Sequence, residues 1–207
     1  MKEYITVKCP GAGEYSEKHS KFLGFVIPCD NERQATEEIN AKRKEYWDAR
    51  HAVYAYVLSD GTARFSDDGE PHGTAGKPVL DILKSSGIEN ALIVVVRYFG
   101  GILLGTGGLV RAYSAAASAA IENCRKVRVV EADLYSVLAG YGDYDKLTFI
   151  LREFDAEIIS SDFSDSVTVK FSLNAKKSDA CIARISDAFS SSVLPKFEGK
   201  TQICEKI

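Results

Sequence analysis

The spacing of hydrophobic residues changes near residue 125, which predicts an α+β chain of two domains, residues 1–125 and 126–207. In the first domain, short apolar runs alternate with segments whose apolar residues recur at helical spacing. Within these segments, Asn31 is expected to cap a helix, and Asp60-Gly61 to close a hairpin. Strands are predicted at residues 22–27, 52–58, 62–65 and 91–97, and helices at residues 31–47, 79–86 and 108–123.

Residues 126–207 follow the order strand, helix, strand, strand, helix, strand. The clearest strand is residues 167–173, where apolar and polar side chains alternate. This order is the βαββαβ pattern of a ferredoxin-like domain.

Glycine is concentrated in residues 61–113, which hold ten of the 16 glycines in the chain. A glycine in a helix or strand costs roughly 0.5–1 kcal/mol relative to alanine, so this concentration needs a local reason. Gly105, Thr106, Gly107 and Gly108 fall between a predicted strand and a predicted helix. Backbone N–H groups there can bind an anion. The same glycines also allow an alanine-rich helix to pack closely against a sheet, and both interpretations stay open.

Cationic and aromatic residues accompany these glycines. Arg97 and Arg111 are candidate partners for a phosphate, and Tyr98 and Tyr113 are candidates for stacking against bases. The candidate anion or nucleic-acid site therefore comprises Arg97, Tyr98, Gly100, Gly101, Gly105, Thr106, Gly107, Gly108, Arg111 and Tyr113.

An acidic segment precedes the second predicted helix and contains Asp67, Asp68, Glu70, His72 and Thr74. Carboxylates and imidazole at this spacing suit a divalent cation, but the order of ligands matches no standard metal loop. Asp, Gly and Pro also form turns for purely conformational reasons. We therefore assign no metal or cofactor, and we expect a binding protein rather than an enzyme.

Composition narrows the class of protein. The 26 Lys and Arg residues nearly balance the 29 Asp and Glu residues, so a nucleic-acid surface would have to be a local patch. The five cysteines form no CxxC pair, which is typical of reduced thiols. Because there is no apolar leader and no run long enough to span a membrane, we expect a cytoplasmic protein without membrane partners.

The glycine blocks and their flanks together resemble the IMPACT/YigZ family. The segments that carry the resemblance are residues 20–24 (SKFLG), 51–56 (HAVYAY), 67–71 (DDGEP), 73–78 (GTAGKP), 95–101 (VVRYFGG) and 104–113 (LGTGGLVRAY). The resemblance implies an N-terminal α/β sandwich like the second domain of ribosomal protein S-five. It also implies a C-terminal domain similar to the fifth domain of elongation factor G, a cytoplasmic location and a link to translation.

Pattern and resemblance together predict a translation-associated protein that contacts RNA or a ribosome-bound factor through its glycine-rich face, as a monomer or weak homo-oligomer. One alternative is an enzyme that binds a nucleotide or phosphate ligand at residues 105–108, with Mg²⁺ at Asp67, Asp68 and Glu70. Another is a protein-interaction surface on the helix at residues 31–47. If the candidate residues share an open surface, the binding interpretation is favoured. If they are buried together, the packing interpretation is favoured.

Overall fold

The computed structural model describes residues 2–207, and these form two compact units, mainly Tyr4–Arg128 and mainly Val129–Glu205. Both units are mixed α/β. No helix among the described residues is long and apolar enough to cross a membrane. The elements of the first unit are β1 (Tyr4–Cys9), β2 (Gly11–Glu17), β3 (Ser20–Pro28), α1 (Glu32–Glu45), β4 (His51–Val57), β5 (Ala63–Ser66), α2 (Gly76–Ser85), β6 (Ala91–Tyr98) and α3 (Gly105–Glu122).

A five-stranded sheet in the order β2-β3-β6-β4-β5 forms the middle layer of the first unit. Strand β6 is central, and every residue in it from Ala91 to Arg97 is buried, because helices cover both faces of the sheet. Helices α2 and α3 contribute to the core on one face, and α1 contributes to the core on the other. The continuous apolar run in the sequence reflects this burial on two sides.

The predicted local signals of the first unit are present. Asn31 Oδ1 accepts a hydrogen bond from the Gln34 amide at 2.9 Å and so caps α1. The segment Asp60-Gly61 connects β4 to β5, and Gly61 has φ of 92°, which explains a glycine at that turn. Helix α1 ends at Glu45, two residues before its predicted end, and Trp47 lies beyond it and is 82% exposed.

Strand β2 was not predicted, because its glycines suggested the end of a strand. Gly11 and Gly13 lie within β2, and Gly13 pairs with Gly24 of β3. A Cβ on Gly24 would lie 2.3 Å from the backbone oxygen of Ala116, and a Cβ on Gly13 would lie 2.5 Å from the Cβ of Ala119. These glycines therefore let the alanine-rich helix α3 pack directly against the sheet.

The second unit has the element order βαββαβ. The elements are β7 (Arg125–Ala139, whose first residues belong to the first unit), α4 (Tyr144–Glu153), β8 (Glu157–Phe163), β9 (Val167–Asn174), α5 (Ser178–Ala188) and β10 (Lys196–Lys206). In the sheet, β9 lies between β7 and β8, and β10 also pairs with β7. The core of this unit includes apolar residues of α4 and α5.

Candidate functional site

Several connections of the first unit meet at the end of the sheet where β6 finishes. The Gly100 amide donates to Ser20 Oγ at 3.1 Å, and the Tyr98 hydroxyl donates to Asp48 Oδ1 at 2.9 Å. The Arg50 amide donates to the Arg97 carbonyl at 3.0 Å. We call this surface the loop face and define it by residues 18–19, 46–50, 99–104 and the first turn of α3, residues 105–108.

Residues 105–108 form the first turn of α3, so the helix begins three residues before its predicted start at Gly108. The first four N–H groups of a helix have no intrahelical acceptor. No side chain caps this end, and the first turn contains no acidic residue. Gly105, Thr106 and Gly107 are exposed, while Gly108 is buried. The positive end of α3 therefore faces solvent without a capping side chain from the described residues.

Gly107 differs from the other nine glycines in residues 61–113. Six of those nine have positive φ, and three leave no room for a Cβ, since the nearest atom would lie at 2.1–2.9 Å. By contrast, the nearest atom to a Cβ on Gly107 would be Arg111 Nη1 at 3.8 Å, and its φ lies outside the positive range. Alanine would stabilise a helix here by about 1 kcal/mol. Packing and backbone conformation therefore explain nine of these glycines but not Gly107.

Arg111 and several apolar side chains lie beside this helix end. The Arg111 side chain is 69% exposed, and its Nη2 lies 3.6 Å from Glu17 Oε1. Leu103 is 82% exposed, and Phe99 and Ile102 are close to half exposed. Sequence reasoning missed Ile102 and Leu103, although their position between paired glycines and a helix start is itself a signal of an exposed loop. An exposed apolar cluster of this kind is typical of an interaction surface.

Arg97 and Tyr113 belong to the interior, which overturns their predicted contacts with phosphates and bases. The Arg97 Nη1 donates to Glu70 Oε1 at 2.5 Å, and the Tyr113 hydroxyl donates to the same oxygen at 2.8 Å. Tyr113 is fully buried and Arg97 is 5% exposed. Burial and the Glu70 charge raise the pKa of Tyr113, which keeps its hydroxyl protonated as a donor. Tyr98 is half-buried, and its hydroxyl is held by Asp48.

His51 lies against this buried cluster. Its Nδ1 is 2.7 Å from the Asp68 carbonyl oxygen, so Nδ1 carries the proton and donates. Its Nε2 lies 3.8 Å from Glu70 Oε1. Arg97 Nε is buried and has no hydrogen-bond partner among the described residues. We name Glu70, Arg97 and Tyr113 the buried triad; their contacts join the acidic segment, β6 and α3.

The acidic segment organises the backbone between β5 and α2. Asp67 accepts hydrogen bonds from the amides of Gly73, Ala75 and Gly76 at 2.8–3.1 Å, and Thr74 Oγ1 donates to the Pro71 carbonyl at 2.6 Å. This explains why an acid and glycines occur together here.

The other acidic side chains of the segment point to different partners. Asp68 accepts from Arg43 Nη2 at 2.6 Å and from the Ala52 amide at 2.7 Å, and Glu70 belongs to the buried triad. The His72 side chain is 99% exposed. No group of three or more His, Cys, Asp or Glu side chains placed to hold a metal ion occurs in residues 2–207.

Comparison with known proteins finds two domain families that match separate parts of the chain. Residues 18–121 match the Impact N-terminal domain, and residues 137–192 match a domain of unknown function, DUF1949. IMPACT family member YigZ of Escherichia coli is 37% identical over 90% of this chain and 94% of its own length. IMPACT family member YvyE of Bacillus subtilis is 34% identical over 99% of this chain and 92% of its own length.

A solved structure resembles the chain over nearly its whole length. The crystal structure of a hypothetical protein matches 94% of this chain and 97% of its own, with a TM-score of 0.62 and 34% identity. Taken with the two domain matches and the full-length relatives, this shows that the chain belongs to the IMPACT/YigZ family.

Proposed function

We propose that this chain is a translation-associated binding protein that works in the cytoplasm and docks on the ribosome through the loop face. In this proposal the first turn of α3 receives a phosphate of ribosomal RNA, and Arg111 provides a second contact with it. The observation that carries the proposal is Gly107, an exposed helical glycine that neither packing nor backbone conformation requires. The link to translation comes from the family resemblance.

A glycine at position 107 leaves the helix backbone accessible to a ligand. A side chain at position 107 would stand beside the first-turn N–H groups, whereas glycine leaves them open to a phosphate oxygen. Arg111 follows one helical turn later and is mostly exposed, so its guanidinium can reach the same anion. The exposed Phe99, Ile102 and Leu103 add apolar contact area next to the charged contact.

The same surface is also suited to a protein factor bound to the ribosome, because its exposed side chains include apolar ones. The enzyme alternative has less support, since Asp67, Asp68 and Glu70 each hydrogen-bond to separate groups and do not converge. We further propose that the first unit is related to the second domain of ribosomal protein S-five, and the second unit to the fifth domain of elongation factor G. The βαββαβ order of the second unit supports the latter relation.

Replacement of Arg111 by alanine is expected to weaken sedimentation with ribosomes by about three- to tenfold at low salt, because one phosphate contact is lost. Leu103→Ser is expected to weaken it by a similar factor through lost apolar contact. The measurement is co-sedimentation of the full chain with purified ribosomes at about 50 and about 200 mM monovalent salt. The slope of log affinity against log salt should fall by about one for Arg111→Ala but stay the same for Leu103→Ser.

Arg33→Ala is the matched control, since Arg33 is an exposed arginine of α1 whose side chain is 88% accessible. Arg97→Ala is unsuitable as a probe, because Arg97 is buried. Absence of binding at low salt, or binding unaffected by both loop-face variants, would contradict the proposal. Ribosomes washed at high salt distinguish the partners: binding that survives washing points to the ribosome itself, and binding lost on washing points to a removable factor.

A further inference from the structure

The second unit carries a cluster of three aromatic rings, two of them exposed, at the junction of β7 with α4 and of β8 with β9. The Phe163 ring centroid lies 5.3 Å from that of Tyr144 and 6.2 Å from that of Tyr141. Tyr141 is 59% exposed and Phe163 is 56% exposed, although both are large enough to favour burial. We name these three residues the aromatic patch.

The aromatic patch is held in place before any partner binds. The Tyr141 hydroxyl donates to the Ser164 carbonyl, and the Tyr144 hydroxyl lies 3.3 Å from Ser161 Oγ. Tyr144 is the first residue of α4, and Phe163 is the last residue of β8. Rings fixed in this way lose little conformational entropy on binding, which is the property of an anchor site.

Carboxylates border the aromatic patch in the sequence. Asp143 and Asp145 flank Tyr144, and Asp165 follows Phe163 by two residues. Two ion pairs near α4 and α5 of this unit involve other carboxylates, Asp155 with Lys177 and Glu153 with Arg184. The nearest cation in sequence, Lys146, donates to the Ala188 carbonyl and lies over the Phe189 ring, so it is directed toward α5. The charged residues next to the patch in the sequence are therefore mainly acidic.

From this combination we infer that the aromatic patch is a docking site for a basic segment of a protein partner, with arginine or lysine side chains that stack on Tyr141 and Phe163. A guanidinium over an exposed ring gains a cation–π interaction, and the same group pairs with a neighbouring carboxylate. The three carboxylates repel phosphate, which disfavours RNA as the occupant. The site lies wholly within the second unit and does not depend on the proposed function of the loop face.

The test uses fluorescence anisotropy with the full-length protein and a short labelled peptide in which arginine alternates with leucine. The expected result is binding with a dissociation constant below about 100 μM, and no binding of the same peptide with glutamate in place of arginine. The double variant Tyr141→Ser with Phe163→Ser should weaken binding about tenfold. The triple variant Asp143→Asn, Asp145→Asn and Asp165→Asn should weaken it about threefold or more.

Phe149→Ser is the matched control, because Phe149 is 61% exposed on the same unit. It lies five residues after Tyr144 on α4, about 140° around the helix. Phe163→Leu keeps apolar area but removes the aromatic face, so it tests stacking with little effect on folding. The inference is overturned if both peptides bind alike, if the serine variant or Phe163→Leu binds as the wild type does, or if Phe149→Ser weakens binding equally. Labelled oligouridylate that binds the wild type but not the double serine variant would also overturn it.

Discussion

Glu70→Ala is expected to destabilise the first unit by about 3–5 kcal/mol, since it removes the acceptor of a buried ion pair and leaves Arg97 without a counter-charge. Tyr113 would lose its hydrogen bond in the same step, and Arg97 Nε already has no hydrogen-bond partner among residues 2–207. Such a loss is a large fraction of the stability of an ordinary domain. Urea unfolding measures the change in the free energy of unfolding, and hydrogen exchange of the β6 amides assigns that change to the first unit.

Two controls separate the buried triad from ordinary ion pairs. Glu14→Ala removes a pair with Lys21 in which both side chains are about half exposed, and it should cost at most about 1 kcal/mol. The triple variant Glu70→Leu, Arg97→Met and Tyr113→Phe replaces all polar partners together and should recover most of the loss. A Glu70→Ala protein within about 1 kcal/mol of the wild type would contradict the structural role assigned to the triad.

Gly24→Val is expected to destabilise the first unit by about 3 kcal/mol, the upper end for overpacking. A Cβ on Gly24 would lie 2.3 Å from the Ala116 backbone oxygen, and no real Cβ contact is that short. Strand propensity alone predicts that Gly24→Val stabilises the first unit, because valine is preferred over glycine in strands by up to about 1 kcal/mol. The result therefore decides between local propensity and the close approach of α3.

Urea unfolding of the same unit provides the measurement, with Gly107→Ala as the matched glycine control. A Cβ on Gly107 meets nothing closer than 3.8 Å, so this variant should be neutral or up to about 1 kcal/mol more stable. Truncation of Ala116 to glycine should not rescue Gly24→Val, because the opposing atom belongs to the backbone. A Gly24→Val protein as stable as the wild type would show that α3 does not pack as described.

Local signals in the sequence predicted the elements whose cause is local. The Asn31 cap and the Asp60-Gly61 turn depend on neighbours a few residues away, and the apolar run of β6 reports burial on both faces. Strand β2 was missed because its glycines are explained only by α3, which is distant in sequence. Tertiary contact overrode local propensity there.

In the candidate site too, local signals predicted the position of some residues but not of those whose partners are distant in sequence. The position of Gly105–Gly108 at a helix start followed from the order of strand and helix, which is local information. The burial of Arg97 did not follow, because its acceptor, Glu70, lies 27 residues earlier in the chain. Tyr113 was placed on the surface for the same reason. No spacing rule in a single sequence distinguishes an arginine that meets a buried carboxylate from one that meets a phosphate.

The most direct test of the binding role of the loop face is the ribosome affinity of Gly107→Glu. A carboxylate in the first turn interacts favourably with the helix dipole and stabilises the helix by about 0.3–1 kcal/mol. Glutamate is also a better helix former than glycine. It also stands one turn before Arg111, where it can pair with that residue and repel a phosphate. We expect a melting temperature at or above that of the wild type together with a loss of ribosome affinity of about tenfold or more at low salt. Wild-type ribosome affinity in the folded Gly107→Glu protein would contradict the account.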